Sequence, residues 1–373
     1  MKITIARETL SPALAALSRV VERRNTIPVL SNVLLRAEGD RLALRATDLD
    51  IQAMTSLPAQ VDTAGAITVP AHTLTDIVRK LPAEAQITLE QDAKATSMTV
   101  RAGRSRFNMH TLPESDFPDI TTGELTHRFA LPAKEIVDLI GKVSFAISSE
   151  ETRYYLNGIY LHVTEIDGAP RLRAVATDGH RLSRLELPAP DGSPGMPNVI
   201  VPTKAVGEIA RLAKDAEGEL TIELSTTKIR VSAGETSLTS KLIDGTFPDY
   251  TRVIPQGNDK LVTLEAEAFQ RAIDRVATIS SERGRAVKLS LSDAGLSLSV
   301  TNPDAGEARE ELEPDYDGAP IDIGFNHRYL LDVLGVLGGS DTVLMKLADP
   351  GSPAVFQKRD GDSLLVVLMP MRV

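Results

Sequence analysis

The chain repeats itself, and this constrains its fold more than any other feature. Leu44-Arg-Ala-Thr-Asp-Leu-Asp50 reappears as Arg173-Ala-Val-Ala-Thr-Asp-Gly179 and, more weakly, as Leu298-Ser-Val-Thr-Asn-Pro303. Asp48 and Asp178 are 130 residues apart, Phe117-Pro-Asp119 and Phe247-Pro-Asp249 again 130, and Ile67-Thr-Val-Pro70 and Val199-Ile-Val-Pro202 are 132 apart. Landmarks in one order at one spacing divide the 373 residues into three long units of one architecture. The length agrees, because single cores rarely grow beyond about 250 to 300 residues.

Within each unit the hydrophobic period changes in the same order. Residues 2–5 alternate as a short strand, and then Leu10, Leu14, Leu17 and Val21 step along one helical face. Residues 32–37 and 41–46 alternate around Glu38-Gly39-Asp40, and residues 50–57 complete a meander. A strand at 67–69 leads through Pro70 into a helix ending near Leu81, with Leu74, Ile77, Val78 and Leu81 facing inward, and three more alternating runs end near His110. The half-unit of strand, helix and three strands thus occurs twice per unit. Further helices are predicted over 133–145, 203–213, 265–281 and 326–337. Breaker-rich stretches at 119–127 and 251–260 set domains at 1–122, 127–254 and 255–373. The predicted class is α+β, three similar domains each with two helices packed on sheets.

Repetition of a two-layer unit favours a binding scaffold over an enzyme, since chemistry gives no reason for one architecture to recur three times. The six helical segments (8–24, 71–82, 134–142, 203–214, 265–283 and 326–338) carry a net +3, against −13 for the rest of the chain. Two readings fit, a helix-lined surface facing phosphate or ordinary solvated helix faces. A second asymmetry concerns assembly. Arg101-Ala-Gly-Arg104-Ser-Arg106-Phe107 closes the first unit with three arginines, whereas Glu307-Ala-Arg-Glu310-Glu311-Leu-Glu313 in the third is strongly acidic. Strand edges of opposite charge suit a head-to-tail contact, which closes into a ring or runs on as a filament. Two separately solvated strands are the plainer alternative.

The absence of cysteine excludes disulfides, thiolate catalysis and zinc fingers. Asp178 and His180 could be taken for an acid/base or metal pair, with His72, His110, His127, His162 and His327 as further ligands. None of these forms an i,i+4 pair, and neither GxxxxGK[ST] nor GxSxG occurs. No cofactor is expected. No apolar run approaches the roughly 20 residues that span a bilayer, and residues 1–20 lack the pattern of a secretory signal, so a cytoplasmic protein is expected.

Four segments carry a resemblance: Arg153-Tyr-Tyr-Leu-Asn-Gly158, Ala176-Thr-Asp-Gly-His-Arg-Leu182, Lys241-Leu-Ile-Asp-Gly-Thr-Phe-Pro-Asp249 and Met369-Pro-Met-Arg-Val373. The chain resembles the bacterial sliding clamps, the beta subunits of DNA polymerase III, from Met1 to Val373 in matching order. The resemblance implies a DNA clamp fold that closes as a head-to-tail homodimeric ring, with helices lining the hole. Such a ring encircles double-stranded DNA without reading sequence and is no enzyme. Its implied partners are a second copy of itself, the replicative polymerase catalytic subunit, the clamp-loader complex, and other clamp-binding polymerases and repair or regulatory proteins. The implied partner-peptide pocket comprises Leu156, Thr177, Gly179, His180, Arg181, Leu182, Pro248, Arg252, Val253, Val367, Met369, Pro370, Met371 and Arg372. Leu, Val and Met supply an adaptable apolar floor, and His180 with the arginines can orient a peptide's polar groups.

For DNA the resemblance points to Arg24 and the pair Tyr154 and Tyr155, to which charge and placement add Lys204 and Arg211. His72 and Glu150 fall at matching positions but depart from the family, which commonly has basic residues after Val69-Pro-Ala71; Glu151 adds to the departure. Both changes weaken attraction for phosphate. At the dimer interface the resemblance sets Arg104, Arg106 and Phe107 against the Ile279 region and the acidic strand bearing Glu307, Glu310 and Glu311. An open scaffold that binds proteins without DNA remains the alternative, and it predicts no retention on circular DNA.

Overall fold

The computed structural model describes residues 1–91, 96–120, 123–281, 285–338, 342–359 and 361–373. The expected domain end at 122 and the last residues of segment 265–283 lie outside the described residues. The first repeat runs β1 (Lys2–Ala6), α1 (Arg7–Ser18), β2 (Asn32–Glu38), β3 (Arg41–Thr47), β4 (Ile51–Pro58), β5 (Gln60–Thr63), β6 (Gly65–Pro70), α2 (Ala71–Lys80), β7 (Gln86–Glu90), β8 (Ser97–Ala102) and β9 (Ser105–His110). The second runs β10 (His127–Pro132), α3 (Ala133–Val143), β11 (Gly158–Ile166), β12 (Ala169–Thr177), β13 (Arg181–Pro188), β14 (Val199–Pro202), α4 (Thr203–Asp215), β15 (Glu219–Leu224), β16 (Lys228–Ala233) and β17 (Thr236–Lys241). The third runs β18 (Lys260–Glu265), α5 (Ala266–Ala277), β19 (Ala286–Ser292), β20 (Gly295–Asn302), β21 (Gly306–Leu312), β22 (Ile321–Asn326), α6 (His327–Leu337), β23 (Thr342–Leu347), β24 (Ala354–Lys358) and β25 (Gly361–Leu368).

The helices bury the positions their spacing predicts: Leu10, Leu14 and Leu17 on α1, Leu74 and Val78 on α2, and Phe269, Ile273 and Val276 on α5. Truncating one of these leucines to alanine would cost about 2–5 kcal/mol. Three expectations need correction. Ile77 is only half-buried. The first helix stops at Ser18 rather than running past Val21, because Val20 N–H turns to Leu17 O (3.1 Å) and the two buried, β-branched valines continue as a tight turn. The fifth helix likewise ends at Ala277 instead of 281, where Thr278 N–H bonds Arg275 O. One strand, β5, had no sequence signal, since it is a mostly exposed polar run on the edge of its sheet.

Contacts gather the chain into two compact units that share out the central repeat. Unit 1 (1–133 and 211–242) holds an eight-stranded sheet in the order β10-β15-β16-β17-β4-β3-β2-β6 and a five-stranded sheet β5-β1-β7-β8-β9. Unit 2 (134–210 and 243–373) holds β14-β11-β12-β13-β25-β24-β23-β18 and a four-stranded sheet β21-β20-β19-β22. Strands of consecutive repeats therefore share a sheet: β17 pairs β4 with Ser240 opposite Ile51, and β13 pairs β25 with Arg181 opposite Leu368. Among the described strands, β5 and β9 are the edges of the five-stranded sheet and β21 and β22 those of the four-stranded one.

Candidate functional site

The β12–β13 turn in unit 2 is held by its own side chains. Thr177 Oγ1 donates to Arg181 O (2.8 Å) and accepts from Gly179 N–H (3.2 Å), while Asp178 Oδ1 accepts the N–H groups of His180 (2.9 Å) and Arg181 (3.0 Å). This is why Thr-Asp recurs: each side chain satisfies backbone that the ladder leaves unpaired. Gly179 takes φ +88°, and a Cβ there would stand 2.7 Å from Arg153 Nη1. Arg153 itself forms a two-pronged pair with Glu150 (2.8 and 2.5 Å), and that bond holds the Glu150 carboxyl below its usual range.

Beside this turn lies a closed apolar cluster of Leu156, Val175, Leu182, Ile200, Phe247, Tyr250 and Val367, with Ile254 and Leu365 packed against it. Leu156, Leu182 and Val367 were expected here. Val175, Ile200, Phe247 and Tyr250 were not, although Phe247 sits in the repeated Phe-Pro-Asp landmark. Around the cluster Val253 (49%), Met369 (40%) and Met371 (38%) remain exposed, with Pro248 and Arg252 also at the surface. The tail is fixed at two backbone points: Met369 N–H bonds His180 O (2.8 Å), and Met371 N–H bonds Gly324 O (2.7 Å) on β22. Pro370 between them has no N–H to satisfy.

Arg181 departs from its expected role as an orienting group. Its guanidinium is half-buried against Asp178 (3.1 Å) and Asp332, and lies over the rings of Phe145 (5.1 Å) and Tyr329 (4.3 Å). It holds the turn rather than facing solvent. Exposed His180, with its ring 6.3 Å from Tyr329, and Arg252, paired to Asp249 (2.9 Å), keep polar atoms at the surface. Beneath the cluster, Tyr160 stacks on Phe247 at 4.7 Å, and Tyr250 OH meets His162 Nε2 (3.0 Å) and accepts from Arg173 (3.3 Å). Arg173 pairs in turn with Glu186 (2.8 Å). Burial, helped by the Arg173 charge, pushes His162 down to about 4, so it is neutral there.

The residues expected to meet DNA divide. Arg24 and Tyr154 are exposed, as are Lys204 and Arg211 on α4. His72 is half-buried, and its Nε2, 3.0 Å from Val21 O, ties α2 to the turn after α1. Tyr155 meets Tyr154 edge to face with ring centroids 5.7 Å apart, but it is half-buried against the apolar cluster and only Tyr154 is an exposed ring. Of the interface residues, Arg104, Arg106 and Phe107 (38%) are exposed at the open β9 edge, and Glu307 and Glu311 at the β21 edge. Glu310 is held by Arg275 of α5, and Ile279 is half-buried, its carbonyl accepting from Asn302 (2.7 Å).

Comparison with known proteins agrees along the whole chain. Residues 1–121, 130–249 and 251–372 match the family models of the DNA polymerase III beta subunit N-terminal, central and C-terminal domains. The beta sliding clamp of Caulobacter vibrioides is 50% identical over 373 residues, covering 100% of each chain. A crystal structure of the Caulobacter crescentus beta sliding clamp with PEG bound superposes with a TM-score of 0.98 at 50% identity, covering 100% of this chain and 99% of that one. A Bartonella birtlesii sliding clamp bound to griselimycin gives 0.96 at 48% identity, with 100% of both chains covered. With every repeat matched in order and half its residues shared with a full-length relative, the chain belongs to the DNA polymerase III beta subunit family, the bacterial beta sliding clamps.

Proposed function

We propose that two copies of this chain close head to tail around duplex DNA, and that the surface over Leu156, Leu182 and Val367 tethers polymerases and other DNA-processing proteins to the ring. The family makes the chain a processivity factor rather than a catalyst, working with DNA, the replicative polymerase and the clamp loader. The observation that carries the ring is the pair of open strand edges. The β9 edge bears Arg104, Arg106 and exposed Phe107, whereas the β21 edge bears exposed Glu307 and Glu311, with Glu310 turned to Arg275. Joining them would satisfy unpaired backbone groups, bury the aromatic ring and match charge. A head-to-tail contact between two copies then forms twice and closes.

The tether follows from the exposed Val253, Met369 and Met371 beside a closed floor. A short apolar peptide laid across them removes that surface from water, and methionines adapt to different sequences. Arg24, Tyr154, Lys204 and Arg211 would meet the DNA backbone, contacts that carry no sequence information and so permit sliding. No described helix is long and apolar enough to cross a membrane. We place the work in the cytoplasm, with the chromosome. Arg104→Glu combined with Arg106→Glu tests the ring: elution at the monomer mass on a sizing column is expected, and an unchanged dimer volume contradicts it.

A further inference from the structure

Met369 and Met371 can receive a peptide only where the backbone that carries them is held, and a segment beyond the last strand of a sheet ordinarily frays. Here the segment after β25 does not end freely. Val367, Met369 and Met371 fall at every second position, the first buried in the cluster and the other two exposed. Met369 is anchored through its N–H to the β12–β13 turn, and Met371 through an antiparallel bridge to Gly324 in the middle of β22. β22 is the edge strand of a different sheet from the one β25 belongs to. The bridge needs a residue without a side chain. A Cβ on Gly324 would lie 2.2 Å from Val373 Cγ1 and 2.7 Å from the carbonyl oxygen of Met371. The valine methyl could swing away, but the carbonyl belongs to the bridged backbone, so the tail itself would have to move.

We propose that Gly324 is a positioning residue for the partner-peptide site: its bare backbone sets the register of the tail and so places Met371 beside Met369 for an incoming apolar peptide. This rests on reading the Leu156–Leu182–Val367 surface as that site. Gly324 touches no peptide in this account and acts only through the tail.

The test is a double-mutant cycle in the full chain, read as affinity for a fluorescent synthetic peptide carrying the clamp-binding segment of the replicative polymerase catalytic subunit. Gly324→Ala is made in the intact protein and in one lacking residues 369–373, which leaves β25 whole. About tenfold weaker binding is expected for G324A in the intact chain, with no further loss in the shortened one. Amide exchange at Met371 should quicken in G324A while β25 stays protected. Equal loss in both backgrounds would assign Gly324 a general structural role and overturn the proposal, as would unchanged affinity in the intact chain. If removing residues 369–373 leaves affinity unchanged, the reading of the site itself fails, and the proposal with it.

Discussion

The first and second repeats build the same turn for different ends. In unit 1, Thr47 Oγ1 donates to Ile51 O (2.9 Å), and Asp48 Oδ1 accepts from the N–H groups of Asp50 (2.9 Å) and Ile51 (2.8 Å), matching Thr177 and Asp178 bond for bond. The next strand docks in the same way: Lys241 N–H reaches Asp50 O at 2.8 Å, as Met369 N–H reaches His180 O. The side chains then diverge. Lys241 Nζ seals its turn with an ion pair to Asp50 (3.1 Å), whereas Met369 leaves its turn apolar and open. Leu49 occupies the left-handed position at φ +81°, a strain of roughly 1–2 kcal/mol that Gly179 avoids while admitting Arg153. Backbone chemistry thus keeps Thr and Asp in both, and a handful of substitutions turns a sealed, charged corner into an open apolar one.

A further contrast lies under the two corners. Arg36 sits opposite Ala43 across β2 and β3, and the equivalent His162 sits opposite Arg173 across β11 and β12. Arg36 pairs with Glu114 at the surface, but His162 is buried and neutral against Tyr250. Its folded pKa of about 4 lies below the ordinary 6.5, so the unfolded chain takes up the proton first as pH falls. Stability from this group is intact above pH 6.5 and declines to about pH 4, a loss of about 3 kcal/mol. Urea unfolding at pH 7 and pH 4.5 should show that slope in the wild type and a shallower one in His162→Gln.

Breaking the two turns should separate them next. Asp178→Ala removes the side-chain acceptor of two backbone N–H groups and one partner of the half-buried Arg181, a loss of about 2–3 kcal/mol, against about 1–2 kcal/mol for Asp48→Ala. Denaturation midpoints decide this, and an equal loss would remove Arg181 from the account. Smaller still, Met369→Lys imposes the lysine of the sealed corner on the open one, and about tenfold weaker binding of the polymerase peptide is expected at little cost in stability. The reverse change, Lys241→Met, breaks an exposed ion pair and should alter stability by less than about 1 kcal/mol with peptide affinity unchanged.

The three repeats and all six helices were legible because periodic leucines and repeated Thr-Asp and Phe-Pro-Asp landmarks are local signals. Sheet sharing was not, since nothing near Ser237 marks Met54 as its neighbour. The candidate site was half legible. Leu156, Leu182 and the tail methionines came with their motifs, but Val175 and Ile200 read as ordinary strand residues and Gly324 carries no mark at all. Charge at the open edges was visible, yet the pairing of Glu310 with Arg275 depends on a helix thirty-five residues away. Tyr155 and Arg181 carry functional residue types that packing turns inward.

The most direct test of the ring is retention on DNA after loading, comparing nicked circles with the same circles cut once by a restriction enzyme. A closed sliding ring predicts that protein stays on circles and is lost when they are linearised. Equal release from both would contradict encirclement and leave an open repeat scaffold.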